Sequence, residues 1–198
     1  MQGENLVTLF KNYVILSSTE ILLLHRCLMH AKLLKMESPH KIVPTWKYII
    51  AILLCEGAGI ISGLLASANN NVWFDSLNTP SWNPPAYLFA PVWTTLYLLM
   101  GISLGIIWNH KTTELNKRSA YSLFGLQLFL NFWWSILFFK FHSPALALLD
   151  ILLMDVVIII TIVTFSKFSK VAAWLLVPYI AWVSFATLLN FSIWNLNR

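Results

Sequence analysis

Two side-chain amides, Gln127 and Asn131, are notable because they lie in an apolar stretch with aromatic residues at helical spacing. Residues three and four apart share one face of a helix. That face carries Phe124, Gln127, Asn131, Trp134, Ser135 and Phe138. A buried amide needs a hydrogen-bond partner, which is either a ligand or another helix. An aromatic cavity with two amides suits a large, flat, mostly apolar ligand that has a few polar groups.

Two further aromatic faces support this interpretation. The first carries Trp93, Tyr97, Gly101, Leu104 and Trp108. The second follows Pro178 and carries Trp182, Phe185, Ala186, Leu189, Asn190 and Ile193. The small side chain of Ala186 would leave a notch in this second face. Pro178 has no amide hydrogen, so it is expected to loosen the backbone of its helix at mid-membrane depth.

Three carboxylates also fall within apolar stretches, where an ionisable group is costly and suggests a function. Glu56 could be neutral, paired with a basic loop residue, or functional, and the sequence leaves these options open. Asp150 and Asp155 are five residues apart and project in different directions, which argues against a catalytic carboxylate pair. Asp150 could reach Lys140 or His142, whereas Asp155 has no evident partner.

Motifs for metal binding and nucleophilic catalysis are missing from the sequence. The 5 histidines fall in the N-terminal tail or in loops. Cys27 and Cys55 have neither metal nor redox spacing, so both are expected to be free thiols. No nucleophile–base motif or phosphate-binding loop is present. The residue chemistry therefore gives no reason to expect an enzyme, a bound metal or a required cofactor.

The composition predicts an integral membrane protein. Of the 198 residues, 58% are hydrophobic and 11% are charged, and the mean hydropathy is +0.70. A soluble domain of this length needs more charged surface. Apolar segments close to the roughly 20 residues that cross a bilayer predict an all-α bundle of transmembrane helices. The five segments cover residues 47–68, 91–109, 119–139, 144–165 and 171–195. Short connectors predict that consecutive helices are antiparallel neighbours in one bundle.

Basic residues predict the orientation. Of the 13 Lys and Arg residues, only Lys140 and Arg198 fall on the side of the long connector between the first two helices. The positive-inside rule then predicts a cytoplasmic N-terminus, with the connector and the C-terminus outside. The net charge of +5 follows this pattern and is not interpreted as affinity for nucleic acid.

Residues 1–43 differ from the transmembrane domain, which is predicted to comprise residues 44–198. The apolar run at 13–24 is too short and too polar to cross a bilayer of about 30 Å. It could lie in the interface as a basic amphipathic helix. Alternatively, the native chain begins at Met36 and the preceding residues reflect an upstream start assignment. A secretory signal peptide is not expected, because the run lacks a small-residue cleavage site.

The long connector is rich in proline and aromatic residues. Pro80, Pro84 and Pro85 fix φ and lack donors, so this part should be rigid and non-helical. Pro91 then fits the first turn of the next helix. On residue chemistry alone, the connector is either a lid over a cavity or a tight interfacial loop.

In three places, motifs resemble the TspO/MBR family of tryptophan-rich sensory proteins and translocator (peripheral-type benzodiazepine receptor) proteins. The first set is Trp73-Phe74, Leu77, Pro80-x-Trp82-x-Pro84-Pro85, Phe89-x-Pro91-Val92-Trp93-Thr94, Leu96-Tyr97 and Met100-Gly101. The second is Gln127-Leu128-x-Leu130-Asn131-x-x-Trp134-Ser135. The third is Pro178-Tyr179-x-x-Trp182-x-x-Phe185-Ala186-x-x-Leu189-Asn190-x-x-Ile193-Trp194. The resemblance covers about residues 44–197.

The resemblance implies a five-helix bundle, commonly a homodimer, with a cavity closed by the first loop. Family ligands are tetrapyrroles such as protoporphyrin and haem, sterols in eukaryotic members, and synthetic isoquinoline or benzodiazepine-type drugs. The family's pocket residues fall here on Phe74, Pro84, Trp93, Tyr97, Asn131, Trp134, Ser135, Trp182, Ala186 and Leu189. In this context we interpret residues 80–97 as a lid that passes into a cavity wall.

Two departures from the family pattern affect the expected ligand. Phe74 replaces a tyrosine that is usual in the family, so a hydroxyl is lost from the lid. Phe191 and Asn195 replace the tyrosine and the basic residue of the family's sterol-recognition stretch, which makes cholesterol binding doubtful. The resemblance then favours a tetrapyrrole-linked role in a bacterial cell membrane.

The leading hypothesis is a membrane sensor or translocator-type receptor that binds porphyrin or haem and tunes a tetrapyrrole or stress response. Trp93 and Trp182 would stack on the macrocycle, and Asn131 would hydrogen-bond a polar edge. One alternative is an enzyme that degrades porphyrin with light or oxygen and uses the same tryptophans as redox participants. Another is a transporter of tetrapyrroles or sterols.

Overall fold

The computed structural model describes residues 26, 45–67 and 70–198, and the account below concerns that part of the chain. The predictions for the N-terminal extension, including Cys27 and the start at Met36, lie outside the described residues. The boundary at residue 43 stays a prediction. Cys55 is a buried free thiol, as the sequence predicts.

Five helices in the described part are long and apolar enough to cross a membrane. Their bounds are Thr45–Ser67 for α1, Phe89–Asn109 for α2, Glu114–Ser135 for α3, Pro144–Ser166 for α4, and two consecutive parts, Lys170–Leu175 and Val177–Leu196, for α5. The predicted all-α membrane fold is confirmed. A bilayer forces the backbone to satisfy its own hydrogen bonds, and this is why hydropathy alone locates the helices within a few residues.

Helices α4 and α5 begin at serine caps. The Ser143 hydroxyl accepts a hydrogen bond from the Leu146 amide, 3.4 Å away, and Pro144 occupies the first helical position. The Ser169 hydroxyl accepts from the Ala172 amide at 3.3 Å. A serine in this position pairs one of the amides that a helix start leaves without a partner.

The helices close into a ring in the order α1, α2, α5, α4, α3. Helix α1 packs most extensively on α2 and also contacts α3; α4 packs on α3 and α5, and the first part of α5 packs on α2. The prediction that consecutive helices are neighbours therefore holds for α1–α2, α3–α4 and α4–α5. The prediction does not hold for α2 and α3, whose backbones do not pack side by side. These two helices are joined mainly through side chains that meet inside the ring.

Glycines allow α1 and α2 to approach closely. A Cβ added to Gly101 would lie 2.5 Å from the Ile52 Cα, so the two backbones leave no room for a side chain there. A Cβ at Gly59 would overlap the Tyr97 ring. At Gly63 a Cβ would meet nothing within 4 Å. Gly59 is therefore used for close packing within the chain, whereas Gly63 leaves open space.

Two helices are irregular. Helix α5 is interrupted at Leu176, two residues before Pro178. The loosened backbone near Pro178 agrees with the prediction, and its depth in the membrane stays a prediction. Helix α3 ends in a π-helix, Ile136–Lys140, in which the Phe141 amide donates to the Ile136 carbonyl at 2.9 Å. Such wide turns are rare and frequently lie at functional sites.

Candidate ligand-binding site

The connector between α1 and α2 forms a loop with two aromatic anchors. It contains a short helix, Asn70–Asp75, and a turn in which the Asn83 amide donates to the Pro80 carbonyl at 2.9 Å. The Phe74 ring lies 5.8 Å from the Phe139 ring, and the Trp82 ring lies 5.8 Å from the Phe185 ring. The loop is thus attached to α3 and α5 by ring contacts. As predicted, its proline segment is not helical.

A pair of hydrogen bonds also fixes the loop to the end of α5. The Asn78 amide donates to Asn197 Oδ1 at 2.9 Å, and Asn197 Nδ2 donates to the Asn78 carbonyl at 2.9 Å. One side chain therefore satisfies both backbone groups of a loop residue. We refer to this contact as the Asn78–Asn197 clasp.

Beneath the loop lies a cavity of about 700 Å³, here called the lid cavity. Its volume is within the range of about 300–1,000 Å³ that is typical of small-molecule sites. The loop, the start of α2, α3 and α5 supply its walls. These are Phe74, Asp75, Asn83, Pro84, Pro85, Ala86, Phe89, Trp134, Phe138, Phe139, Ala186, Leu189, Asn190 and Ile193.

A second cavity of about 360 Å³ lies between α1, α2 and α3, here called the side cavity. Its walls are Glu56, Gly59, Ile60, Gly63, Phe89, Ala90, Trp93, Thr94, Tyr97, Trp134, Ser135 and Phe139. Phe89, Trp134 and Phe139 line both cavities. The two spaces therefore adjoin at these three aromatic rings.

The structure divides the predicted site residues into three groups. Those that line the lid cavity are Phe74, Pro84, Trp134, Ala186 and Leu189. Those that line the side cavity are Trp93, Tyr97, Trp134 and Ser135. Asn131 and Trp182 line neither of them. The sequence thus selects walls of two adjoining cavities rather than of one.

Asn131 lies at the centre of a hydrogen-bonded chain that crosses the bundle. The Tyr97 hydroxyl donates to Asn131 Oδ1, and Asn131 Nδ2 donates to the Tyr179 hydroxyl at 3.1 Å. The Tyr179 hydroxyl lies 3.4 Å from Met154 Sδ, to which it donates. Both ends of the amide are engaged within the protein. The amide therefore connects α2, α3 and α5, and its contact with a ligand stays a prediction.

The orientation of Trp134 is fixed by a second polar contact. Its Nε1 donates to Asn190 Oδ1 at 3.0 Å, and Asn190 Nδ2 donates to the Pro144 carbonyl at 2.8 Å. The Trp134 ring also stacks on Phe138, with 5.4 Å between ring centroids. A large flat ring held between two cavities can present its face to a planar ligand with little loss of side-chain entropy.

Trp93 and Trp182 differ from Trp134 in their surroundings. The Trp93 ring lies 5.6 Å from the Tyr97 ring and 6.4 Å from the Tyr179 ring. The Trp182 ring lies 5.9 Å from Phe89 and 5.3 Å from Phe185. Trp182 thus packs beside a wall residue of the lid cavity, and its buried Nε1 has no hydrogen-bond partner among the described residues.

Phe89, Phe139 and Asn83 line the lid cavity but are missing from the predicted site. A regular helix would turn Phe138 and Phe139 about 100° apart, so a stripe at helical spacing selects only one of them. The π-helix brings both rings to the site, 4.9 Å apart. No sequence signal marks that wide turn. Asn83 Oδ1 is buried without a partner in the described part of the chain.

The structure also places the three membrane carboxylates. Glu56 lines the side cavity. Asp155, for which the sequence offered no partner, accepts hydrogen bonds from Thr187 at 2.8 Å and Ser184 at 3.4 Å, both on α5. Oδ2 of Asp150 is buried without a hydrogen-bond partner among the described residues. Within that part of the chain, no group of three His, Cys, Asp or Glu residues could hold a metal ion.

Comparison with known proteins agrees with this architecture. The sequence profile of the TspO/MBR family matches residues 51–195. The tryptophan-rich protein TspO of Chlorobaculum tepidum is 42% identical over 159 residues, which are 76% of this chain and 98% of that protein. The TspO protein of Archaeoglobus fulgidus is 39% identical over 151 residues, covering 76% of this chain and 97% of that protein. The translocator protein of Sus scrofa is 36% identical over 164 residues, covering 78% and 93%.

Family membership together with five apolar helices makes this an integral membrane protein that lies in a lipid bilayer, and it supports a membrane sensor or translocator role. The relatives match along nearly their whole length. The family profile covers the loop, the residues that line both cavities, and most or all of each of the five helices. The chain therefore belongs to the TspO/MBR family.

Proposed function

We propose that this chain is a membrane receptor, of sensor or translocator type, that binds a porphyrin or haem in the lid cavity and regulates a tetrapyrrole or stress response. The observation that carries the proposal is the lid cavity itself, which has a volume of about 700 Å³. Its walls are mostly aromatic and apolar, as a large planar ligand requires. We further propose that the protein works as a homodimer in a bacterial cell membrane.

Three features of the lid cavity support a planar ligand. The Trp134 ring is held in place by Asn190 and Phe138, so it offers a rigid stacking surface. Ala186, on α5, lines the cavity with a small side chain, which leaves room for a wide ring system. Asn83 Oδ1 lacks a partner in the described part of the chain and is an acceptor for a polar group of the ligand.

In this proposal Trp134 is the main stacking residue. Trp93 would contact only a part of the ligand that extends past Phe89 into the side cavity, because it lines that cavity alone. Trp182 would act indirectly, by supporting Phe89. The loop closes the site from above and is retained by the Asn78–Asn197 clasp.

Protoporphyrin titration of the purified protein tests the proposal. Binding is followed by quenching of tryptophan fluorescence, in wild type and in Trp134→Phe. The matched control is Trp174→Phe, because Trp174 is 69% exposed on the outside of the bundle. An aromatic stacking pair contributes about 0.5–1.5 kcal/mol beyond its buried area. Phenylalanine keeps part of that contribution with its smaller ring, so Trp134→Phe should weaken binding about twofold to fivefold. Trp174→Phe should leave the affinity unchanged.

Two results would count against this site. Equal affinities of wild type and Trp134→Phe would show that the ligand does not stack on Trp134. An equal loss in Trp134→Phe and Trp174→Phe would indicate a nonspecific association of porphyrin with the apolar surface. Sterol that competes with porphyrin for the same site would widen the ligand class.

A second candidate, light- or oxygen-dependent degradation of porphyrin, is favoured by one observation. The Trp93 ring lies close to Tyr97 and Tyr179, which are connected through Asn131, so three oxidisable rings lie in series beside the cavities. Illumination of the porphyrin complex in air, with the porphyrin absorbance recorded over time, tests this function. Turnover that disappears in Trp93→Phe while binding remains would favour degradation over binding alone.

A further inference from the structure

The side cavity contains a carboxylate in the middle of a membrane span. Glu56 lies close to the centre of the span Thr45–Ala66. A charged group at this depth is costly, and such groups face a cavity or the bundle interior and mark functional sites. Glu56 follows this rule, because it lines the side cavity. Porphyrin binding in the lid cavity does not use this carboxylate.

The described part of the chain does not neutralise Glu56. Among the described residues, none forms a hydrogen bond or an ion pair with its carboxylate. The hydroxyl of Tyr97, which lines the same cavity, donates to Asn131 instead. None of the described residues that line the side cavity is basic. Lys47, the basic residue of α1, lies about 13 Å away along the helix axis. The cavity therefore has a negative charge that a cation can complement.

Aromatic rings line the same cavity. They belong to Phe89, Trp93, Tyr97, Trp134 and Phe139. The Trp93 and Tyr97 rings lie 5.6 Å apart with 30° between their planes, so they form one continuous surface. The face of an aromatic ring attracts a cation, and quaternary ammonium groups are recognised by several such rings together. A carboxylate among aromatic rings is thus suited to an organic cation.

The spacing of residues on α1 leaves room beside Glu56. Glu56, Gly59 and Gly63 are three and four residues apart and share one helix face. The Tyr97 ring occupies the space at Gly59, whereas a Cβ at Gly63 would meet nothing within 4 Å. The cavity volume of about 360 Å³ is near the lower end of the range of about 300–1,000 Å³ for small-molecule sites. The side cavity therefore fits a compact ligand.

We propose that the side cavity binds an organic cation, which is a lipophilic amine or a quaternary ammonium compound. Glu56 pairs with the charge of this ligand, and its apolar part contacts Trp93 and Trp134. The proposal concerns a different cavity and a different ligand class from the porphyrin site, and it does not depend on porphyrin binding.

Equilibrium dialysis of the purified full chain in a nonionic detergent tests this proposal. The probe is benzyltrimethylammonium, and neopentylbenzene is its uncharged isostere. Each ligand is compared between protein variants, so its partition into the detergent cancels. Glu56→Gln removes the charge and keeps the size of the side chain. Asp155→Asn is the matched control, because Asp155 is another carboxylate within a membrane span and lines neither the lid cavity nor the side cavity.

A second pair of variants tests the location of the bound cation. Gly63→Leu places a side chain in the side cavity. Gly57→Leu adds the same side chain to α1 at a position that does not line this cavity and where a Cβ also meets nothing within 4 Å. Leucine favours a helix more than glycine does, so both variants are expected to fold. This pair decides the question if Glu56→Gln does not fold.

We expect Glu56→Gln to bind benzyltrimethylammonium about tenfold more weakly than the wild type and to bind neopentylbenzene equally well. The loss is smaller than for a fully buried charge pair, because Glu56 is half-buried. Gly63→Leu should weaken the binding of both ligands about tenfold. Asp155→Asn and Gly57→Leu should bind both ligands as the wild type does.

Three results would overturn the proposal. The first is a Glu56→Gln variant that binds the cation as well as the wild type does, or that loses affinity for both ligands equally. The second is a loss in Asp155→Asn as large as in Glu56→Gln, since that would reflect a general effect of charge. The third is an unchanged cation affinity in Gly63→Leu, which would place the cation outside the side cavity. Because the probe is not a tetrapyrrole, these results would leave the porphyrin proposal intact.

Discussion

Replacement of Asn131 by leucine should destabilise the bundle rather than act mainly on ligand binding. The amide connects Tyr97 on α2 with Tyr179 on α5. Leucine has a similar size but can neither accept from Tyr97 nor donate to Tyr179. The Tyr179 hydroxyl would keep its contact with Met154, whereas the Tyr97 hydroxyl would lose the hydrogen-bond acceptor that it has in the structure.

The size of this effect follows from the two lost contacts. Hydrogen bonds between membrane helices contribute about 0.6 kcal/mol on average and at most about 1.7 kcal/mol. A buried polar group left without a partner costs about 1–3 kcal/mol. For Asn131→Leu we therefore expect a loss of about 1–3 kcal/mol in the free energy of unfolding. Tyr97→Phe in the Asn131→Leu background should recover part of it, because the unpaired hydroxyl is removed.

Unfolding in mixed micelles with increasing SDS, followed by tryptophan fluorescence, measures these free energies. The four proteins of the cycle are wild type, Asn131→Leu, Tyr97→Phe and the double variant. If Asn131→Leu is as stable as wild type but binds porphyrin much more weakly, the amide contacts the ligand, and our interpretation of the hydrogen-bonded chain is wrong.

Two further predictions follow from the packing of the helices and the loop. Gly101→Ala should destabilise the protein by several kcal/mol, because its Cβ would lie 2.5 Å from a backbone atom of α1. The control is Gly125→Ala, where an added Cβ meets nothing within 4 Å. In the same unfolding assay, Gly125→Ala should be neutral or slightly stabilising. Asn197→Ala removes both hydrogen bonds of the Asn78–Asn197 clasp. Each hydrogen bond contributes about 0.5–1 kcal/mol. Their loss should therefore increase the rate of porphyrin dissociation about fivefold to thirtyfold in stopped-flow measurements. Asn195→Ala should leave that rate unchanged, and an equal rate in Asn197→Ala would show that the clasp does not retain the loop.

Most of the fold follows from the sequence, because the bilayer imposes a simple rule on the backbone. Apolar segments of sufficient length must be helices, and the five predicted spans correspond to the five observed ones. The ring order of the helices does not follow from that rule. Short connectors suggested that α2 and α3 pack side by side, but the glycine-mediated contact of α1 with α2 and the packing of α5 on α2 occupy those flanks.

The candidate site could be predicted in part. Periodicity locates Trp134, Ala186 and Leu189 on inward faces, and the structure places all three on the lid cavity. Periodicity assumes a regular helix, so it misses Phe139 at the π-helix. It also cannot tell whether a buried amide contacts a ligand or another helix, since both uses require the same residue at the same depth; Asn131 is such a case.

The most direct test of the proposed function is the porphyrin affinity of a variant in which the lid cavity is filled. Ala186→Phe puts a large ring into the cavity, because Ala186 is 7% exposed and lines its wall. Ala181→Phe adds the same volume on the exposed side of α5 and is the matched control. We predict that Ala186→Phe weakens protoporphyrin binding by about tenfold or more, while Ala181→Phe binds as the wild type does. Equal affinities of the two variants would contradict the assignment of the lid cavity as the porphyrin site.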